Sequence, residues 1–350
     1  MTENEMPLSQ NPEPAPAPVT PSSEWELGIT DFNKINVAPL NDAVDKMKVE
    51  ISKVIVGQDD TIELLMTALL VGGHVLVEGL PGIAKTLTSK LLAKCIKADF
   101  SRIQFTPDLM PTDVTGTSVF NLKENNFYFR KGPIFSNIIL IDEVNRSPAK
   151  TQAALMEVME EKQITYDGTT HKMGFPFFVI ATQNPVEQEG TYALPEAQLD
   201  RFIFKIKMNY PDLNQEIAIL QRFSQDFHGK QSNDVNAVID GAQLQSFHDM
   251  IERVYIRPEL LQYIASVVNN TRNNGDLFMG ASPRASLAIM KAAKALAAVR
   301  RRNFVTPDDI RTVALPALNH RLVLSHEREM EGHTIEEIID NILKMVEVPR

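Results

Sequence analysis

An α/β core with a parallel sheet covered by helices, followed by a smaller all-helical region, is the fold class that the sequence predicts. Three observations carry the prediction. Short, continuously apolar runs at residues 75–77, 138–141 and 177–181 have the character of strands buried on both faces. Segments with apolar residues at helical spacing separate these runs, and strands alternating with helices imply a parallel sheet. From Pro211 onward strand patterning fades and only helical patterns remain.

The totals bound the class. With 350 residues, 43% hydrophobic and 23% charged, the chain has the composition of an ordinary globular protein and the length of two domains plus short extras. A net charge of -10 argues against bulk attraction to nucleic-acid phosphates, while leaving room for a local basic patch. The single cysteine, Cys95, cannot form an internal disulfide. It lies on an apolar helix face and reads as a buried structural thiol in a reducing compartment. Neither a signal-peptide pattern nor an apolar run of about 18 residues is present, so a cytoplasmic protein without a membrane span is expected.

Taken in order, residues 1–30 form a proline-rich leader expected to be disordered, with Pro7, Pro12, Pro14, Pro16, Pro18 and Pro21 and too little apolar matter to offset ordering entropy. The α/β core is placed at 31–211 and the helical region at 212–350. Helical patterns run from Asn41 and again through Ile62 to Leu70, where Gly72 and Gly73 release the chain into the first strand. A helix spans 86–97 and a strand 100–105. Two hairpins are expected, one around 121–126 and one turning at Asp167-Gly168. Between them lie the strand at 138–141 and a helix to Lys162, with Ser147 as N-cap and Pro148 in its first turn. A brief helix at 195–201 and a strand at 202–208 complete the core. The Arg300-Arg301-Arg302 run reads as a solvated helix end, and no transition metal is assigned to His320, His326 or His333.

The chemistry begins at His74 to Thr86, an apolar strand running into a glycine turn and a helix. Such a turn aims backbone N–H groups and the positive helix end at one point, where a triphosphate can sit. Lys85 would reach the β- and γ-oxygens and the Thr86 hydroxyl a Mg²⁺ ion. The spacing of Gly79, Lys85 and Thr86 fits the phosphate-loop pattern except that Ala84 replaces its second glycine, a mild departure provided φ is negative there. Pro81, Gly82, Ile83 and Leu87 complete the phosphate site. Asp142 and Glu143 end a buried strand, the end of an open α/β sheet at which ligands bind. There Asp142 would hold Mg²⁺ and Glu143 would polarise the attacking water. Asn184 ends another strand and could orient that water, or merely start a turn before Pro185. Arg201 closes a short helix and reads either as a surface ion pair with Asp200 or as a finger for a neighbouring subunit's γ-phosphate. Arg284, behind Ser282-Pro283, puts a cation at a positive helix end, unfavourable unless a phosphate comes there.

In this order the motifs resemble the MoxR family of AAA+ ATPases. The loop from Gly79 to Thr86 with its alanine before lysine, the segments 102–116, 142–146, 181–185 and 194–202, and the surrounding pattern from about Asn41 to Ala317 carry the resemblance. It implies a P-loop AAA+ core with a helix-2 insertion at 121–126, a hairpin before sensor 1 at Asp167-Gly168, and an all-helical lid. It also implies Glu143 as catalytic base, Asn184 as sensor 1, Arg201 as arginine finger, Arg284 as sensor 2, and Val56, Gly57 and Gln58 near the adenine. The expected cofactors are ATP and Mg²⁺. The expected assembly is a hexameric ring that remodels protein partners, commonly carrying von Willebrand factor A domains, without nucleic acid. A nucleotide-dependent binding scaffold and a DNA-remodelling motor are the rival readings. GTP is disfavoured for want of an Asn-Lys-x-Asp element.

Overall fold

The computed structural model describes residues 35–80, 82–184, 191–225 and 234–349. The leader at 1–30 and Pro81 lie outside them. The core opens with helices α1 (Ala38–Ser52) and α2 (Asp59–Leu70), strand β1 (His74–Gly79), helix α3 (Lys85–Cys95) and strand β2 (Phe100–Gln104). Helix α4 (Pro111–Thr115) leads into the antiparallel hairpin β3 (Gly116–Asn121) and β4 (Asn126–Lys131), then β5 (Ile138–Asp142) and α5 (Ala149–Glu161). A second hairpin, β6 (Gln163–Tyr166) and β7 (Thr169–Lys172), precedes β8 (Phe178–Gln183), α6 (Glu196–Leu199) and β9 (Phe202–Met208).

Five of these strands form one parallel sheet in the order β2-β5-β8-β1-β9. Alternation along each strand sends neighbouring side chains to opposite faces. Val75, Val77, Leu140 and Ile180 enter one apolar cluster, whereas Leu76, Ile139, Ile141 and Ala181 enter the other, beneath Leu155, Met156 and Met159 of α5. This two-sided burial is why the strands read as continuous apolar runs.

The helical region comprises α7 (Leu213–Gln225), α8 (Gly241–Glu252), α9 (Pro258–Arg272), β10 (Leu277–Met279), α10 (Pro283–Val299), α11 (Pro307–Leu318), β11 (Val323–Leu324), α12 (His326–Met330) and α13 (Ile335–Met345). Its buried side chains belong to the same cluster as those of α1, α2, α3 and one sheet face. The change at Pro211 is thus a change of patterning and not the start of a separate hydrophobic core. Among the described residues no helix is long and apolar enough to cross a membrane.

Some local expectations need correction. Ser147 does not cap α5: the N-cap is Pro148 at φ -59 and ψ 150, and the buried Ser147 hydroxyl has no partner among the described residues. The arginine run after α10 is exposed at Arg300 and Arg301, as a solvated helix end is, and each of its residues also carries an ion pair. Arg300 pairs with Glu63 of α2, Arg301 with Asp45 of α1, and Arg302 with the fully buried Asp309 of α11. A buried carboxylate must be paired, and Arg302 supplies its counter-charge. Cys95 is buried as expected, and burial pushes its thiol up to about 12.

Candidate active site

The carboxyl ends of β1, β8 and β5 lie side by side. Register pairs Val77 with Thr182 and Glu78 with Gln183, and sets Ile141 beside Ala181. The phosphate loop, Asn184 and the Asp142-Glu143 pair therefore emerge at one edge of the sheet, as the sequence predicts. At the loop, a Cβ on Gly79 would stand 2.4 Å from Ile83 Cδ1 and 3.1 Å from the Met208 carbonyl oxygen, so a larger residue would force the Ile83 side chain to move. The Lys85 ammonium donates to the Gly79 carbonyl at 2.7 Å, which holds it across the mouth of the loop.

Ala84 is the N-cap of α3 at φ 64 and ψ 22, in the left-handed region. The expectation of a negative φ is therefore wrong, and the missing glycine carries a backbone cost of roughly 1–2 kcal/mol. Glu143 is also left-handed, at φ 57 and ψ 53. Two strained residues at one strand edge are the kind of feature that active sites retain. Gln58 donates from its amide to the Ile83 carbonyl at 3.1 Å, which brings the 56–58 segment against the loop. Gly57, at φ 70, lies under the Gln215 side chain of α7, a neighbour that sequence patterning did not suggest.

Asp142 is held by both neighbouring strands. The Thr182 hydroxyl donates to its Oδ1 at 3.1 Å and accepts from the Glu143 backbone N–H at 3.1 Å. Arg102 Nε donates to Oδ2 at 2.5 Å. The Glu143 carboxylate accepts from the Gln104 amide at 2.8 Å and lies 3.3 Å from Arg146 Nε. Arg102 and Gln104 were not singled out individually in the sequence. Their spacing of two puts both on one face of β2, but only the pairing with β5 brings them to the acidic pair.

The two remaining arginines lie elsewhere. Strands β1 and β9 run parallel, with His74 opposite Phe202 and Gly79 opposite Met208. Arg201 thus sits where the strands begin, and the phosphate loop where they finish, five residues and about 17 Å further on. Arg201 Nη1 and Arg284 Nη2 each lie 2.6 Å from an oxygen of the same Glu160 carboxylate, at the edge of a cavity of about 260 Å³. Asp200 is not the partner of Arg201. Its carboxylate accepts from Arg321 at 2.7 Å and from Ser282 at 2.9 Å. Arg321, nearly fully buried, also donates to the carbonyls of Asp200, Phe202, Ile203 and Ala317. The end of α11 thereby fixes the turn that presents Arg201, and Ser282 caps α10 while tying Arg284 to the same corner.

Known proteins resemble this chain over most of its length. The model of the ATPase family associated with various cellular activities (AAA) matches residues 74–204, and that of the AAA lid domain matches 269–342. The chain is 41% identical over 310 residues to "Chaperone MoxR1" of Mycobacterium tuberculosis, covering 86% of this chain and 81% of that protein. The chain belongs to the MoxR family of AAA+ ATPases. It is also 46% identical over 310 residues to "Uncharacterized protein YeaC" of Bacillus subtilis, covering 89% and 96% of the two chains. A crystal structure from Cytophaga hutchinsonii superposes with a TM-score of 0.82 at 41% identity, over 94% of this chain and all of that one.

Within this AAA+ chain, Arg284 does not stand over its own phosphate loop. Arg284, the expected sensor 2, lies beside Arg201 on the Glu160 carboxylate. The donor chemistry at the loop suits Mg²⁺: one buried carboxylate, one threonine hydroxyl and the phosphates themselves supply the oxygens that this ion takes. Among the described residues no group of three or more His, Cys, Asp or Glu side chains gathers into an all-protein metal cage.

Proposed function

We propose that this MoxR-family chain hydrolyses ATP in a homo-oligomeric ring, expected to be hexameric, and uses the cycle to remodel partner proteins. The observation that carries the reading is the division of one set of residues between opposite edges of the sheet. The loop, Asp142, Glu143 and Asn184 occupy one edge, and Arg201 with Arg284 the other. A head-to-tail ring brings such edges together, because a heterologous interface joins two different surfaces of the same chain.

In that arrangement the loop N–H groups and Lys85 bind the phosphates, and Thr86 and Asp142 hold Mg²⁺. When bound there, Mg²⁺ would supply neutralising charge to the phosphate oxygens. Glu143 accepts the proton of the attacking water while the Asn184 amide orients that water. Arg201 and Arg284 of the adjacent subunit exchange Glu160 for the γ-phosphate, and stabilise the equatorial charge of the transition state. Val56, Gly57 and Gln58 contact the adenine in this reading, which the Gln58 bond to the loop supports. The name of the mycobacterial relative, a chaperone, supports protein remodelling as the outcome; partners carrying von Willebrand factor A domains are the class to test first.

One observation favours a second reading, a nucleotide-dependent scaffold with slow turnover. Glu143 Oε2 is engaged by both Gln104 and Arg146, so the carboxylate must present Oε1 or leave these partners before it meets a water. The two readings separate in a phosphate-release assay on the purified oligomer, with and without a candidate partner. Remodelling predicts Mg²⁺-dependent release that the partner accelerates. Release no greater than that of a Glu143→Gln control, under all conditions, would leave the scaffold.

A further inference from the structure

Arg102 has no part in the chemistry above, yet it makes the shortest polar contact to the acidic pair. Thr182 occupies Asp142 Oδ1, so Oδ2 is the oxygen left to face a metal, and Arg102 Nε sits on it at 2.5 Å. The Asp142 side chain is 10% exposed and that of Arg102 is 52% exposed. A carboxylate so desolvated needs a cation beside it whether or not nucleotide is bound. The arginine, on an edge strand of the sheet, can turn into solvent at little cost. Its Nη2 rests on Gln104 Oε1 at 3.2 Å, itself an exposed contact.

We propose that Arg102 is a positioning residue that stands in for the metal. It neutralises Asp142 in the nucleotide-free subunit and yields Oδ2 when Mg²⁺ arrives with the phosphates. Guanidinium and metal compete for one oxygen, so Arg102 weakens metal binding. The ion is retained only when the phosphates contribute their own oxygens, which ties metal loading to nucleotide loading. The inference rests on Asp142 being the metal-binding carboxylate.

The test is Mn²⁺ binding to the ADP-loaded full chain, read by electron paramagnetic resonance of free Mn²⁺, together with ADP affinity in EDTA. Arg102→Ala should bind Mn²⁺ about tenfold tighter than wild type, with ADP affinity in EDTA unchanged. Arg102→Gln keeps a hydrogen-bond donor near Asp142 and removes only the charge, so it should also tighten Mn²⁺ binding and serves if the alanine variant does not fold. Mn²⁺ affinity equal to or weaker than wild type in the folded variant overturns the handover. Weakened ADP binding in EDTA overturns it as well, by making Arg102 a phosphate ligand. Asp142→Asn separates the two levels of inference. If it leaves Mn²⁺ affinity unchanged, the metal role of Asp142 fails and the handover with it; if it weakens Mn²⁺ while the Arg102 variants do not tighten it, the handover alone fails.

Discussion

Subunits lacking Arg201 and subunits lacking Glu143 should restore each other's activity when mixed. The separation of about 17 Å along β1 and β9 places Arg201 well beyond its own loop's phosphates. An Arg201→Ala subunit therefore keeps an intact loop, metal site and base, and lacks only what a neighbour supplies. A Glu143→Gln subunit cannot hydrolyse but still offers its own Arg201. In rings assembled at random from equal amounts, half the sites belong to Arg201→Ala subunits, and half of those face a Glu143→Gln neighbour. About a quarter of all sites should then be complete, because each ring interface joins one subunit's loop edge to the next subunit's arginine edge. Either variant alone should be nearly inactive, as a missing finger costs roughly 10³ to 10⁵ in rate. The assay is steady-state phosphate release across a titration of mixing ratios, after co-expression or subunit exchange. A bell-shaped curve peaking near a quarter of wild-type activity at equal ratio is expected. A flat curve at the level of the single variants, in rings shown to be mixed, would refute the shared site.

Other consequences follow from the same contacts. Ala84→Gly removes a left-handed alanine and should raise unfolding stability by up to about 1 kcal/mol in denaturant titrations, less what glycine gains in unfolded freedom. Arg321→Met removes the guanidinium from the Asp200 carboxylate, which keeps only Ser282, and from four backbone carbonyls; a loss of about 3 kcal/mol is expected, together with reduced activity because Arg201 loses its anchor. His74 is buried, bonded to the Met159 carbonyl and the Val179 N–H, and desolvation lowers its pKa to about 4. Between that value and its unfolded 6.5 only the unfolded chain takes up the proton. Stability should therefore fall by about 3 kcal/mol as pH drops through this window, less steeply in His74→Gln, as read by denaturant midpoints at successive pH values.

The sheet was legible because its strands are buried on two faces and leave unbroken apolar runs, and the second hairpin because Asp167-Gly168 admits few other conformations. Asp142, Glu143 and the loop were legible because each chemistry sits in a contiguous stretch. What the sequence did not disclose depends on register and docking. The meeting of Arg102 with Asp142 follows from β2 lying next to β5, and no local signal sets that pairing. The placement of Arg284 beside Arg201 follows from how α10 docks on the Asp200 corner. The handedness of Ala84 is a backbone property that residue identity alone misjudged. The two-residue strand β11 and its partner β10 are too short for any periodicity to show.

Single-turnover hydrolysis of radiolabelled ATP, measured beside equilibrium ATP binding in wild type and Glu143→Gln, tests most directly whether this edge of the sheet is an ATPase site. Both proteins should bind ATP with similar affinity in Mg²⁺, and only wild type should convert it to ADP and phosphate. Conversion by Glu143→Gln at the wild-type rate, or none by wild-type rings at any nucleotide concentration, would contradict the assignment.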